Sequence, residues 1–369
     1  MQSIIDYVEN ELRDFGQAPF SPVDSLVLSQ LAYLRLGALV PAPGCPDALP
    51  LRELLRAELF GALLDEVRAP EQNRRLLFAA AASPRFRGVL LSRFADDQDP
   101  LLGKSFSAVT FSLGPALHYL AFRGTDATLV GWKEDFNMAF QTVPSQQAAL
   151  DYARAAADAL PGALLLGGHS KGGNLAVYSA MMCPPAVRAR LQAVYSHDGP
   201  GFMEGTLSQE CFRRVEPLIH KTLPQSSIIG MLLEHQENYS VVKSSRVGIM
   251  QHDPFSWEVQ DGRFVPLEQL TAGARYMDGT LNQWIGAMTA PEREGFTDTL
   301  FGVLTAGGIT SFQGEHDWQQ LIPAMAEAVR SLDPADRTMT LRLLRALGVL
   351  AVRNLAAGRQ TAPAQPGAV

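Results

Sequence analysis

The stretch LLLGGHSKGGNLAVYSA, Leu164–Ala180, sets a short apolar run against four glycines, with one serine and one lysine at the junction. Gly168, His169, Ser170, Lys171 and Gly172 spell G-x-S-x-G between an expected buried strand and an expected helix. That context matters because a sharp strand-to-helix turn holds the serine in a crowded backbone conformation and presents its Oγ at the open end of a sheet. Small neighbours let the turn close. The helix N-terminus adds backbone N–H groups and a positive dipole end, both suited to a developing oxyanion. The stretch matches neither G-x-x-x-x-G-K-[ST] nor G-x-G-x-x-G, since Lys171 follows the serine and glycines follow Lys171, so it does not read as a phosphate cradle. A plain glycine turn joining strand to helix is the competing interpretation.

Working outward, the flanks alternate in character. SQQAALDYARAAADALPG predicts a helix before the elbow, and LQAVYSHDGPG predicts a strand after it that ends in turn residues. Such alternation implies a mostly parallel sheet with crossover helices. Upstream, GVLLSRFADDQDP, SFSAVTFSLG and ALHYLAFRG read as hairpin strands. Downstream, PLIHKTLP and NYSVVKSS are expected strands, with a more polar one at FSWEVQDGRFVP. The front third reads as helical: two helices over residues 3–36, started in the second case by Pro22 and Asp24, then a proline-rich loop and a helical LRELLRAELFGALLDEV. From Thr271 the chain is again mostly helical, and QTAPAQPGAV is expected to be a frayed tail. The expected organisation is one domain over residues 1–290, a helical extension over 291–358 and a disordered tail over 359–369.

Composition narrows the class. The chain of 369 residues is 47% hydrophobic and 19% charged, as a globular fold requires. A net charge of −7, with no run of Lys or Arg that could track a phosphate backbone, argues against nucleic acid as a partner. Cys45, Cys183 and Cys211 are odd in number and lack CxxC spacing, so neither a disulfide framework nor a zinc site is expected and a reducing cytoplasm fits best. MQSIIDYVENELRDF lacks the basic and apolar regions of an export signal, and no transmembrane segment is expected.

A second stretch, YLAFRGTDATLVGWKEDFNMAF, joins GGHSKGGNLA in a recognisable pair. Together they resemble the class 3 lipase branch of the α/β-hydrolases, in which an apolar strand ends in F-R-G-T and a Trp and an Asp follow. The chain is more closely similar to the Mbeg1-like family of bacterial proteins. SPVDSLVLSQLAYL, FRGTDATLVGWKEDFNM, GHSKGGNLAVY, YSHDGPGF, PQSSIIGMLLEH and IMQHDPFSW carry that resemblance over most of residues 20–260. It implies an α/β-hydrolase fold: a central, mostly parallel sheet flanked by helices, with helical decorations at both ends. It also implies an oxyanion hole in which the backbone N–H of Thr125 faces that of Lys171. Arg123 with Asp126 reads as a structural ion pair, and Trp132, Asp135 and Asn137 as loop anchors.

A serine hydroxyl needs a base at neutral pH, and seven histidines are available. His252 is the best of them, late in the chain in GIMQHDPF, where the order of the fold wants it. His169 is expected to point into neighbouring structure, and His118, His220, His235 and His316 lack a turn-rich setting. The acid is less direct, because the lipase-type position after a later strand here reads LPQSSIIG, with no carboxylate. Asp198 at the end of a predicted strand is the first choice, with Glu234 and Asp253 as alternatives. Met231 and Leu232 are candidates for the acyl pocket or a movable cover, against the simpler reading of core packing.

These residues predict a cytoplasmic serine hydrolase that cleaves a carboxylic ester or related acyl substrate, lipids included, through an acyl-enzyme, with no metal or organic cofactor. Two other readings stand beside it. One is a non-catalytic scaffold of the same fold that binds a ligand or protein partner; the other is a thioesterase or peptidase, because fold alone does not choose the leaving group.

Overall fold

The GxSxG strand lies at the middle of a mixed sheet. The computed structural model describes residues 2–99, 101–125, 138, 142–203, 205–234, 238–306, 318–343, 345, 346 and 349. Among them the strands are β1 (Leu49–Pro50), β2 (Leu90–Asp99), β3 (Lys104–Gly114), β4 (Leu117–Phe122), β5 (Ala163–His169), β6 (Leu191–His197), β7 (Ile219–Pro224), β8 (Tyr239–Val242), β9 (Val259–Gln260), β10 (Arg263–Phe264) and β11 (Pro266–Leu267). The main sheet runs β1-β2-β3-β4-β5-β6-β7-β8-β11. β4 through β8 pair in parallel, and antiparallel strands flank them on both sides. The protein has an α/β-hydrolase fold.

Period-two alternation divides the core between the two faces of the sheet. On β4, Tyr119 and Ala121 join a cluster with the N-terminal helices α1 (Ile4–Asn10), α2 (Pro22–Leu31) and α3 (Pro70–Ala82). Leu120 and Phe122 join a second cluster with α4 (Pro144–Ala159) and α5 (Lys171–Met182). β5 is therefore covered on both sides, which explains its unbroken apolar run.

The N-terminal helices are tied down by polar contacts as well as by burial. Ser21 and Asp24 form a capping box around Pro22 at the start of α2, as those start signals predict. Asp24 also pairs with Arg85 at 2.7 Å, with both side chains almost fully buried, and accepts from the Tyr7 hydroxyl at 2.8 Å. Ser25 and Ser29 bond the Tyr119 hydroxyl at 2.8 and 2.7 Å, which links α2 to the central sheet.

Two expected elements differ. Leu51–Val67 is not one helix: it folds as 3-10 turns at Leu51–Leu54 and Ala57–Leu59, then a single helical turn, Phe60–Leu63. The amides of Leu51 and Arg52 donate to the carbonyls of Val89 and Arg87, so the start of this segment is fastened to the chain before β2. FSWEVQDGRFVP is not one strand either. Asp261 and Gly262, both at positive φ, reverse the chain between β9 and β10, and β11 returns to pair with β8.

The chain divides into two compact units, with Leu270 ending the main body of the first and Thr271 opening the second. The second contains helices α6 (Ala272–Gly286), α7 (Ala290–Ala306) and α8 (Trp318–Ser331), with Trp284, Met288, Phe296 and Leu343 in its own core. No helix among the described residues is long and apolar enough to cross a membrane.

Candidate active site

Ser170 stands between β5 and α5 at φ 58° and ψ −133°. A side chain held at positive φ costs about 1–3 kcal/mol, so the surrounding packing must over-determine the turn. It does so through close contact. A Cβ on Gly168 would lie 2.3 Å from the Gly172 carbonyl carbon, and one on Gly172 would lie 2.0 Å from the Phe122 carbonyl oxygen. The two glycines of the motif thus bring the helix, the elbow and the end of β4 together. The Ser170 amide donates to the His197 carbonyl at 2.9 Å, which fastens the bend to β6.

His252 reaches the serine from the 3-10 turn Gly248–His252, after β8. Ser170 Oγ lies 2.9 Å from His252 Nε2, and His252 Nδ1 lies 2.6 Å from Asp198 Oδ2. The carboxylate can only accept, so Nδ1 carries the imidazole proton and Nε2 is left to accept from the serine. Asp198 is fully buried at 0% exposure, whereas Ser170 and His252 each keep 9%. The carboxylate is thus the driest of the three groups.

Asp198 follows β6 at φ 49°. Its Oδ1 accepts from Ser227 Oγ at 2.5 Å and from the Gly230 amide at 3.1 Å. A Cβ on Gly230 would come within 2.4 Å of that same oxygen. PQSSIIG, which lacks the carboxylate of the lipase pattern, therefore supplies the groups that hold the carboxylate of another strand. Ser227 and Gly230 were missed because no local pattern links them to Asp198. The other candidate acids are engaged elsewhere: Glu234 accepts from the Leu207 amide at 3.3 Å, and Asp253 pairs with Arg246 at 3.0 Å.

The FRGT segment leaves β4 beside the elbow. The Arg123 amide donates to the Ser107 carbonyl at 2.9 Å, and its guanidinium pairs with Asp96 at 3.1 Å. A Cβ on Gly124 would be 3.1 Å from the Ser170 Cβ, so Thr125 follows a residue packed directly on the serine. Lys171 opens α5, and its buried Nζ donates to the Ser105 carbonyl at 2.7 Å. Asn174 braces the loop after Asp198 by donating to the Gly201 carbonyl at 2.7 Å. Met231 is buried and Leu232 half-buried, immediately after Gly230. Asp126, Trp132, Asp135, Asn137, His235 and His316 lie outside the described residues.

The remaining described histidines sit apart from the serine hydroxyl or behind it. His118 Nε2 meets the Pro161 carbonyl, and exposed His220 stacks on Tyr195. His197 bonds Ser25, and its burial depresses the imidazole pKa to about 3. His169 is also depressed well below its ordinary range, by burial and by the proximity of His252. A cleft of about 770 Å³ opens between the N-terminal segment and β7 and β8, but Ser170, Asp198 and His252 do not line it.

A family description, Mbeg1-like, matches residues 80–302. No curated protein matches the chain. Among solved structures it is similar to the native Rhizomucor miehei lipase propeptide complex, with 12% identity and a TM-score of 0.35 over 60% of this chain and 66% of that one. It is also similar to M37 lipase, with 11% identity and a TM-score of 0.34 over 57% of this chain and 70% of that one. This chain thus spans about two thirds of the first lipase chain.

Proposed function

The chain belongs to the Mbeg1-like family, and on that footing we propose that it is a serine hydrolase acting on carboxylic esters, lipid esters among them. One observation carries the reading: Ser170, His252 and Asp198 form a continuous hydrogen-bonded line, with separations of 2.9 and 2.6 Å. In this reading Ser170 Oγ attacks the acyl carbonyl carbon while its proton passes to His252 Nε2. Asp198 stabilises the imidazolium and keeps it oriented. The backbone N–H groups of Lys171 and Thr125 receive the tetrahedral oxyanion, aided by the positive end of α5.

Collapse of that intermediate breaks the bond to the leaving group, which takes the proton from His252 and departs. The acyl-enzyme remains. Water then attacks the ester carbon and gives its proton to the same imidazole; the second intermediate breaks its bond to Ser170 Oγ, which takes that proton back as the acid departs. Met231 and Leu232 are assigned to the acyl side, since they continue the segment whose Gly230 amide holds Asp198. Free Cys45, Cys183 and Cys211 suit a reducing compartment, the cytoplasm.

The test pairs a fluorophosphonate probe with a panel of p-nitrophenyl esters of graded chain length and matching thioesters. The native protein is expected to be labelled at Ser170 and to show an acyl-enzyme burst. Ser170→Ala is expected to lose both label and turnover, because the nucleophile and its base act as a unit. Label retained in that variant, or binding of the esters with no turnover by the native chain, would overturn the assignment.

A further inference from the structure

The residue before the nucleophile is tied to the backbone of the base. His169 Nε2 lies 2.8 Å from the carbonyl oxygen of His252, and the two rings are 4.5 Å apart between centroids. A carbonyl oxygen only accepts, so Nε2 of His169 carries hydrogen. Burial keeps this ring neutral, which leaves Nδ1 as an acceptor. The Tyr33 hydroxyl stands 3.2 Å from that nitrogen and therefore donates to it. Each proton along the line Tyr33, His169, His252 carbonyl is placed by the acceptor beyond it.

Tyr33 lies just after α2, in the SPVDSLVLSQLAYL stretch and outside the residues matched by the family. Its hydroxyl also occupies the space a side chain on Gly124 would need, 2.1 Å from such a Cβ. One phenol is thus fitted against the loop before Thr125 and the strand before Ser170. Through His169 it also reaches the turn that carries His252. That turn is short, and its neighbouring residue is anchored too: Trp257 Nε1 donates to the Gln251 carbonyl, and the Ser226 amide donates to the Gln251 side chain. The bond from His169 is made to the base residue itself.

We propose that His169 and Tyr33 are positioning residues that register the His252 turn against Ser170, which makes the N-terminal segment part of the active-site framework. The proposal rests on the serine-hydrolase reading above. It differs from simple core satisfaction in one respect: loosening the line changes where Nε2 meets Oγ and leaves substrate binding alone. A displacement of about 1 Å in such a group lowers the chemical step by roughly 100-fold.

The experiment compares the native chain with Tyr33→Phe, His169→Leu and His169→Gln, the last of which keeps a side-chain N–H. Steady-state kinetics on the reactive p-nitrophenyl ester are read beside thermal melting. For Tyr33→Phe a fall in kcat of about 10-fold is expected, and for His169→Leu about 100-fold, with KM unchanged and His169→Gln partly rescued. Native kcat in Tyr33→Phe or His169→Leu, or losses confined to KM, would overturn the proposal. A second measurement stands apart from turnover: long-range proton–nitrogen correlation spectra of histidine-labelled protein. They are expected to show His169 as the Nε2–H tautomer in the native chain and a mixture in Tyr33→Phe. An Nδ1–H tautomer in the native chain defeats the proposal even if esters are cleaved. An inert native chain that shows the Nε2–H form defeats the hydrolase reading and leaves the hydrogen-bonded line standing.

Discussion

Asp198 meets His252 Nδ1 at 2.6 Å from the end of β6, while Ser227, from the segment after β7, holds the other oxygen of the same carboxylate at 2.5 Å. Two neighbouring loops therefore share one acid, which enters from one and is clamped by the other. Asp198→Asn is expected to keep the geometry but lose control of the imidazole tautomer, lowering kcat by about 10⁴. Ser227→Ala removes one of two donors to Oδ1 and is expected to lower kcat by about 10-fold, in line with a charged hydrogen bond of roughly 1.5–3 kcal/mol. Kinetics on a reactive ester check both. Unchanged turnover in Asp198→Asn would detach the carboxylate from the chemistry.

The elbow stores strain that only one substitution relieves. Ser170 sits at φ 58°, where a side chain costs about 1–3 kcal/mol and glycine does not incur that penalty. Ser170→Gly is expected to be inactive yet more stable than Ser170→Ala, by on the order of 1 kcal/mol after the extra backbone entropy of glycine is discounted. Urea denaturation of the two variants measures the difference. A glycine variant no more stable than the alanine one would remove strain from the account.

Stability should fall with acid below the ordinary histidine range. The folded state holds His197 at about 3, against 6.5 for a free imidazole, because burial opposes its charge. Between those values the unfolded chain binds a proton that the native chain refuses, so this stability is complete above pH 6.5 and drains away as pH falls towards 3. Each such histidine contributes a slope of about 1.4 kcal/mol per pH unit within its window, and buried His169 acts in the same direction. Urea midpoints across that range, for the native chain and His197→Gln, test the claim. The variant should show the shallower slope; parallel slopes would refute it.

The alternation of buried strand, glycine turn and helix was legible because local periodicity and steric need coincide there. The segments that misled, Leu51–Val67 and FSWEVQDGRFVP, are those where distant partners override local preference. Amides of the first pair with residues before β2, and two positive-φ residues reverse the second. The elbow motif, the order of the fold and the end of a predicted strand named Ser170, His252 and Asp198 as candidates, but they could not say what surrounds them.

By itself the sequence determined an α/β sheet with a sharp serine turn at its centre, since unbroken apolar runs and closely spaced glycines admit few other arrangements. Only the tertiary structure decided which carboxylate lies beside His252, what clamps it and what stands behind the base. Those relations join Tyr33, Ser170, Asp198, Ser227 and His252 across long stretches of chain. Contacts of that range leave no period or spacing in the sequence, because they depend on how the strands are ordered side by side.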